Sequence, residues 1–316
     1  MRRAAGQFLL FAGVLALCGG YGGRAAAQSK AEDQRLPQFN VATTLVLVPV
    51  TVTDASNRFV LGLKKEDFHL FEDGTEQTIT HFSGEDAPLS VGLVFDVSGS
   101  MGDKFRISRN AAVQFLKTMN PEDEVFLVEF NDTAELTMGF TTEIGKIQDK
   151  LRSAQPGGLT AMLDASEVAM REMKKAKNPR KAIVIISDGG DNNSKYSPSE
   201  IESLIREADV QVYAMGVFEP VLFFGLSKEE ISGPRLLSQL AEQTGGRAFS
   251  ASEPVDLPSV ATRIGIELRN QYVLAYSPKN QAKDGKYRRV NVKIQEPAGF
   301  PNLKARWRPG YYAPSD

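Results

Sequence analysis

Three spacings of apolar residues succeed one another along the chain. Between Thr44 and Asp54 the run Leu-Val-Leu-Val-Pro-Val-Thr-Val-Thr is rich in β-branched residues and predicts a strand. A turn at Ser56-Asn57 follows. Phe68-His-Leu-Phe-Glu-Asp73-Gly74 then predicts a second strand, whose Asp-Gly forms a hairpin turn into a third over 77–82. After Ala87-Pro88 the pattern changes to strands alternating with amphipathic helices. Strands are expected at 89–96, 124–130, 181–187 and 210–217, with short ones near 134–140 and 247–250. Helices are expected near 104–119, 143–154, 161–176, 198–208, 234–244 and 254–270, the last with Leu257, Val260, Ile264 and Leu268 on one stripe. From Gln271 the chain is β-rich again: 271–276, then 287–295 with Val290, Val292 and Ile294 on one face, then a final stretch to Tyr312.

Strands alternating with helices imply a mostly parallel sheet covered on both faces. Neither flanking β segment covers a core alone, so the two are expected to pair. The predicted fold class is α/β, a doubly wound, mostly parallel sheet inserted in a small β-sandwich formed by the N- and C-terminal segments. The expected divisions are 39–87 for the N-terminal β segment, 88–270 for the α/β domain and 271–316 for the C-terminal β segment pairing with 39–87.

Composition supports two packed units, with 42% hydrophobic and 24% charged residues among 316. The start adds a different signal. Met1-Arg-Arg leads into the apolar segment Phe8 to Leu17, then glycines, then Ala25-Ala26-Ala27 before Gln28, the layout of a secretory signal spanning 1–27. A flexible lead over 28–38 follows. The apolar stretch is about half the ~20 residues a membrane span needs, so the mature chain is expected to be exported, to the periplasm, cell envelope or medium, without a transmembrane segment. The single cysteine, Cys18, lies inside this signal, and the mature chain can form no disulfide. Leu15-Ala16-Leu17-Cys18 also resembles a bacterial lipid-attachment sequence, but Leu17 stands where that pattern wants a small residue.

Removing residues 1–27 deletes Arg2, Arg3 and Arg24 and no acids, which takes the net charge from −2 to −5. No nucleic-acid surface is implied. The cluster Lys174, Lys175, Lys177, Arg180 and Lys181 reads as a solvated face at a helix end.

The chemistry concentrates behind the strands. Asp96-Val-Ser98-Gly-Ser100 stands directly after the apolar run from Leu89 to Phe95, and Asp188 directly after the run ending at Ser187. Thr160 lies in the loop Pro156-Gly-Gly-Leu-Thr160. In a parallel sheet the carboxyl ends of the strands gather at one edge, where ligand sites form. Carboxylates and hydroxyls converging there are the hard oxygen donors that Mg²⁺ prefers. Each residue alone also fits a local role: the serines as helix caps, Thr160 as the cap of the next helix, Asp188 as a turn former before Gly189-Gly190. Asp103, Asp164 and Asp191 read as solvated or capping, with Asp191 the nearest supporting member.

Together, Asp96-x-Ser98-x-Ser100, Thr160 and Ser187-Asp188-Gly189 resemble the metal-ion-dependent adhesion site (MIDAS) of von Willebrand factor A domains, and the resemblance covers roughly residues 88–275. The run Ser-Asp-Gly-Gly-Asp-Asn-Asn-Ser, the β flanks and Arg308-Pro-Gly-Tyr-Tyr-Ala-Pro are similar to a group of exported bacterial proteins, common in acidobacteria, that carry a related domain. The resemblance implies that Ser98 and Ser100 ligate a divalent cation through their hydroxyls. It further implies that Thr160, Asp96 and Asp188 act directly or through water. The implied cation is Mg²⁺, with Mn²⁺ or Ca²⁺ as alternatives, and the implied partner is a protein presenting Asp or Glu to the open position. Val221, Leu222, Phe223 and Phe224, in the connection after strand 210–217, are expected at the same edge as a partner-contacting rim. The same residues can equally fold back on their own domain.

Catalysis is not implied. Ser98 stands where phosphotransferases of the haloacid dehalogenase type place a second Asp, and Gly-x-Ser-x-Gly is absent around Ser100. The two histidines, His69 and His81, fall on strands of the N-terminal β segment, so the α/β domain has no ligand set for zinc hydrolysis. The expected function is an exported, cation-dependent protein-binding or adhesion module. A structural envelope protein whose metal only stabilises the fold is the alternative, and a metal-dependent hydrolase is the least supported.

Overall fold

The computed structural model of the chain describes residues 45–84, 86–218, 228–250, 256–297, 299 and 302–315. The expected signal (1–27), the lead (28–38) and the apolar cluster Val221, Leu222, Phe223 and Phe224 lie outside the described residues.

The N-terminal part supplies β1 (Val46–Thr53), β2 (Phe68–Glu72), β3 (Thr75–Gln77) and β4 (Ile79–Ser83). Asp73 and Gly74 both take positive φ, 47° and 82°, as a tight hairpin of this hand requires. The single strand expected over 77–82 is two. β3 stays on β2, while β4 pairs with a strand of the other sheet, so the chain breaks at Thr78 to change sheets.

The α/β part follows as β5 (Leu89–Asp96), a 3-10 turn over Gly99–Lys104, α1 (Phe105–Leu116), β6 (Glu124–Phe130), β7 (Ala134–Thr141) and α2 (Ile144–Ser153). Next come α3 (Met162–Met173), β8 (Arg180–Ser187), α4 (Pro198–Glu207) and β9 (Gln211–Gly216). It closes with α5 (Lys228–Glu242), β10 (Ala248–Ser250) and α6 (Leu257–Arg269). Its six strands run in the order β10-β9-β8-β5-β6-β7, all parallel except the edge strand β7. Every residue of β5 is buried. On one face Leu93 and Phe95 pack with Phe115, Leu116, Ile264 and Leu268; on the other Val94 packs with Val128, Met162, Ile185 and Ile201. Burial on both faces is why β5 and β8 read as continuous apolar runs. The chain leaves β5 toward β6 and β7, then returns to lay β8 on the other side of β5. The order in which strands are added therefore reverses between β5 and β8, and the crevice of such a fold opens there.

β11 (Gln271–Tyr276), β12 (Tyr287–Ile294), β13 (Lys304–Trp307) and β14 (Gly310–Tyr312) complete the chain. Two four-stranded sheets result, β13-β1-β11-β4 and β14-β12-β2-β3. Each mixes strands from both flanking segments, and Val48, Val50, Leu70, Tyr272, Leu274, Val290 and Val292 form the core between them. The doubly wound sheet is thus an insertion in a β-sandwich.

Two details differ from expectation. Arg180 is not on a solvated face: it is buried, donates to the carbonyls of Ala87 and Leu268, and lies 3.6 Å from Asp86. It joins Arg269, which pairs with Asp86 and Asp123, at the amino end of the sheet. There four charges neutralise one another where the two parts of the fold meet, so burial does not leave the arginine unpaired. Second, α5 begins six residues before Pro234 and contains it. Gly233 of that turn lies so close to Gly189 that a Cβ on Gly189 would stand 2.6 Å from its backbone, a tertiary contact that local sequence does not reveal.

Candidate metal centre

Asp96 ends β5 and Ser187 ends β8, and the two strands are neighbours. Their side chains meet: the Ser187 hydroxyl donates to Asp96 Oδ2 at 2.6 Å, and the Ser98 amide donates to Oδ1 at 2.8 Å. The Gly189 amide donates in turn to Ser187 Oγ at 2.9 Å. Ser98 Oγ and Ser100 Oγ stand 3.0 Å apart.

The Thr160 loop is stitched to both. The Gly157 amide donates to the Val97 carbonyl at 2.8 Å, and the Gly99 amide to the Gly158 carbonyl at 3.0 Å. Thr160 donates its amide to Asn192 Oδ1 at 2.9 Å and accepts at its carbonyl from the Asn192 and Asn193 amides, both at 3.0 Å. Its backbone is thereby spent, and the hydroxyl is its remaining polar group. Gly158 has φ of 86°, and a Cβ there would lie 2.4 Å from Asp132 Oδ2. Asp132 accepts from the Leu159 amide at 2.9 Å. Only glycine permits this turn and this approach. The segments 96–100, 157–160 and 187–193 are one hydrogen-bonded cluster at the switch point.

The capping alternatives fare unevenly. Ser98 precedes the 3-10 turn without making a side-chain cap. Ala161, not Thr160, stands at the start of α3, and its open amide at Leu163 is taken by Asp191 Oδ2 at 2.9 Å. Asp164 likewise accepts from the amides of Lys195 and Tyr196. Asp188 does act as a turn former, accepting from the Gly190 amide at 3.3 Å, with Gly189 at φ 79°. The hydroxyls of Ser98 and Thr160 are therefore not explained by capping.

Asp96 is fully buried and Asp188 nearly so, at 3% exposure. Burial pushes the Asp96 carboxyl up to about 6; hydrogen bonds from Ser187 and Ser98 oppose the shift, and the charge of Asp188 adds to it. Asp188 is met by a cation: Lys104 Nζ lies 3.0 Å from its Oδ2. The sequence alone does not single out Lys104. Its only local signal is its place four residues beyond Ser100, at the end of the same turn.

The donor chemistry fits a small hard cation. Two serine hydroxyls 3.0 Å apart have the spacing of neighbouring ligands around Mg²⁺, about 3.0 Å for bonds of about 2.1 Å at right angles. It is also an ordinary hydrogen-bond distance. Among the described residues no group of three or more His, Cys, Asp or Glu side chains could hold a metal. The oxygens gathered here are hydroxyls and two carboxylates, donors that suit Mg²⁺, Mn²⁺ or Ca²⁺ better than a thiolate- or imidazole-seeking metal.

Residues 91–190 match the family model described as von Willebrand factor type A domain. An uncharacterized protein of Borreliella burgdorferi is 22% identical over 188 residues, 53% of this chain and 55% of its own length. Inter alpha-trypsin inhibitor heavy chain 4 of mouse is 28% identical over 194 residues, 56% of this chain and 20% of its own length. The chain thus spans about half of the first relative and a fifth of the second. Among solved structures, proximal thread matrix protein 1 of the mussel byssus, with a zinc-occupied MIDAS motif, matches with a TM-score of 0.50 at 20% identity, covering 63% of this chain and 50% of that one. At that identity the likeness is one of fold.

Proposed function

We propose that the chain, whose residues 91–190 match the von Willebrand factor type A domain, is an exported, cation-dependent protein-binding module. Domains of this family are typically metal-dependent adhesion or interaction modules. In this chain Ser98, Ser100, Thr160, Asp96 and Asp188 would hold a divalent cation, most simply Mg²⁺, and a partner's Asp or Glu would fill its open position. When bound, the cation supplies a Lewis-acidic site for that carboxylate. The chain's own residues supply the cradle.

The observation that carries the reading is the cluster at the β5/β8 switch point. Among the described residues, buried Asp96 there accepts from the Ser187 hydroxyl and buried Asp188 pairs with the Lys104 ammonium, so two carboxylates are met by one cation, whereas buried anions are ordinarily neutralised in full. Mussel thread matrix protein 1, of similar fold, is a precedent for a divalent cation in such a motif. No reaction is included in the proposal, since His69 lies on β2 and His81 on β4, in the sandwich rather than at the edge. Export rests on the leader at 1–27, with the periplasm, envelope or medium as destination. No helix among the described residues is long and apolar enough to cross a membrane. The partner rim at Val221, Leu222, Phe223 and Phe224 remains part of the proposal on sequence grounds alone.

Affinity capture from envelope extracts tests this. Proteins retained by the wild type in Mg²⁺ should be released by EDTA and absent from a Asp96→Ala, Asp188→Ala double variant. Retention of the same proteins by the double variant contradicts the adhesion reading. A melting temperature that responds to Mg²⁺ with no protein captured points instead to a cation that only stabilises the fold.

A further inference from the structure

We propose that Lys104 is a built-in counter-cation of this centre: its ammonium holds Asp188 in the cation-free protein, and a divalent cation binds against that ion pair. The inference rests on the proposed cation site and adds to it a residue that sets the site's affinity.

The placement of the lysine is specific. Its Nζ lies 3.0 Å from Asp188 Oδ2, with the two side chains 13% and 3% exposed. This is unlike the helix-surface pairs Lys146–Glu143 and Arg152–Asp149, which join residues three apart with both side chains more than half exposed and contribute little. Lys104 and Asp188 are 84 positions apart and meet only because β5 and β8 are neighbours. The backbone of Lys104 is fixed where the 3-10 turn gives way to α1. Gly102 breaks the turn at φ 32°, and the Ser108 hydroxyl donates to the Lys104 carbonyl at 2.9 Å. The segment that presents Ser98 and Ser100 therefore also delivers the ammonium.

Charge decides the consequence. Ionised Asp96 and Asp188 carry two negative charges, of which Lys104 cancels one. A divalent cation entering beside the lysine meets a like charge within a poorly solvated cluster, and the repulsion weakens its binding. The loaded centre keeps one net positive charge, which a single partner carboxylate neutralises. Without the lysine the loaded centre is already neutral, and a visiting acid gains less. Lys104 thus makes the site a weak holder of metal and a stronger taker of an acid.

Isothermal titration of chelator-stripped protein with MgCl₂ and with MnCl₂, for the wild type and the K104M, K104Q and K104R variants, tests the proposal. K104M and K104Q should bind each cation on the order of tenfold or more tightly than the wild type, and K104R, which keeps the charge, within about threefold of it. In chelator K104M should melt below the wild type, because Asp188 is left unpaired, and saturating Mg²⁺ should raise its melting temperature by more than it raises that of the wild type. K104Q keeps the comparison readable if K104M does not fold, as judged by circular dichroism. Equal or weaker cation binding by folded K104M and K104Q overturns the role of the lysine. If the wild type still binds and the Asp96→Ala, Asp188→Ala variant does not, the cation site survives that result. If no folded protein in the series binds either cation, site and lysine fail together.

Discussion

The two halves of the fold each bury a carboxylate centre, and they finish it differently. In the sandwich, Glu72 Oε2 accepts from the hydroxyls of Tyr276 and Tyr311, both at 2.7 Å. Burial first, and then the carboxylate itself, push both phenols well above their ordinary range, so they remain donors. At the sheet edge, Asp96 accepts from the Ser187 hydroxyl and the Ser98 amide, while Asp188 accepts from the Gly190 amide and pairs with the Lys104 ammonium. A carboxylate held by two fixed neutral donors binds one sheet to the other and asks for nothing more. Two carboxylates beside serine hydroxyls that cap no helix retain the charge and the oxygens that a visiting cation uses. On the proposed reading, the same residue type is structural in one place and receptive in the other because of what surrounds it.

Substitutions should separate the two centres. The largest effect is expected from Asp96→Ala with Asp188→Ala, which should weaken Mg²⁺ or Mn²⁺ binding by calorimetry at least ~100-fold, while Tyr276→Phe leaves it unchanged. Next, Glu72→Ala strands the buried Tyr276 hydroxyl and the half-buried Tyr311 hydroxyl and should cost about 3 kcal/mol in urea unfolding without altering cation affinity. A loss of cation binding in Glu72→Ala would break the distinction.

Smaller and opposite in sign is Asp96→Asn in chelator. The Asp96 carboxyl titrates near 6 in the folded protein against 3.8 for the free side chain. Its contribution to stability is therefore complete below 3.8 and is lost as pH rises through about 6, a difference of about 3 kcal/mol. Asparagine carries no charge to desolvate, so the variant should be more stable than the cation-free wild type at pH 7.5, by at most that amount, and gain almost nothing near pH 4. Equal stabilities at pH 7.5 would contradict the burial argument. The smallest change is Tyr311→Phe, which removes one of two donors to Glu72 and should cost about 1 kcal/mol.

Much of the architecture is legible in the sequence because the central strands are buried on both faces. The runs 89–95 and 182–186 are long enough and apolar enough to admit one reading, and an oxygen-bearing residue after each falls at the edge that a parallel sheet creates. The alternation at Val290 and Val292 likewise declares a half-buried strand. What escapes the sequence depends on distant contacts. The break at Thr78 serves a change of sheet, Pro234 sits inside α5 where Gly233 packs on Gly189, and Arg180 looks like one of five surface cations until Asp86 and the Leu268 carbonyl reach it. Lys104 is the instructive omission. A lysine near the start of a helix is ordinary in sequence, and its partner lies 84 positions away.

Diffraction from crystals grown with MnCl₂, recorded for the anomalous signal of manganese, tests the cation centre most directly. The account predicts one strong peak at the carboxyl end of β5 and β8, about 2.1–2.3 Å from the Ser98 and Ser100 hydroxyls, with Lys104 turned away or sharing Asp188. Full-occupancy crystals with no peak there, or with manganese bound only elsewhere, would contradict it.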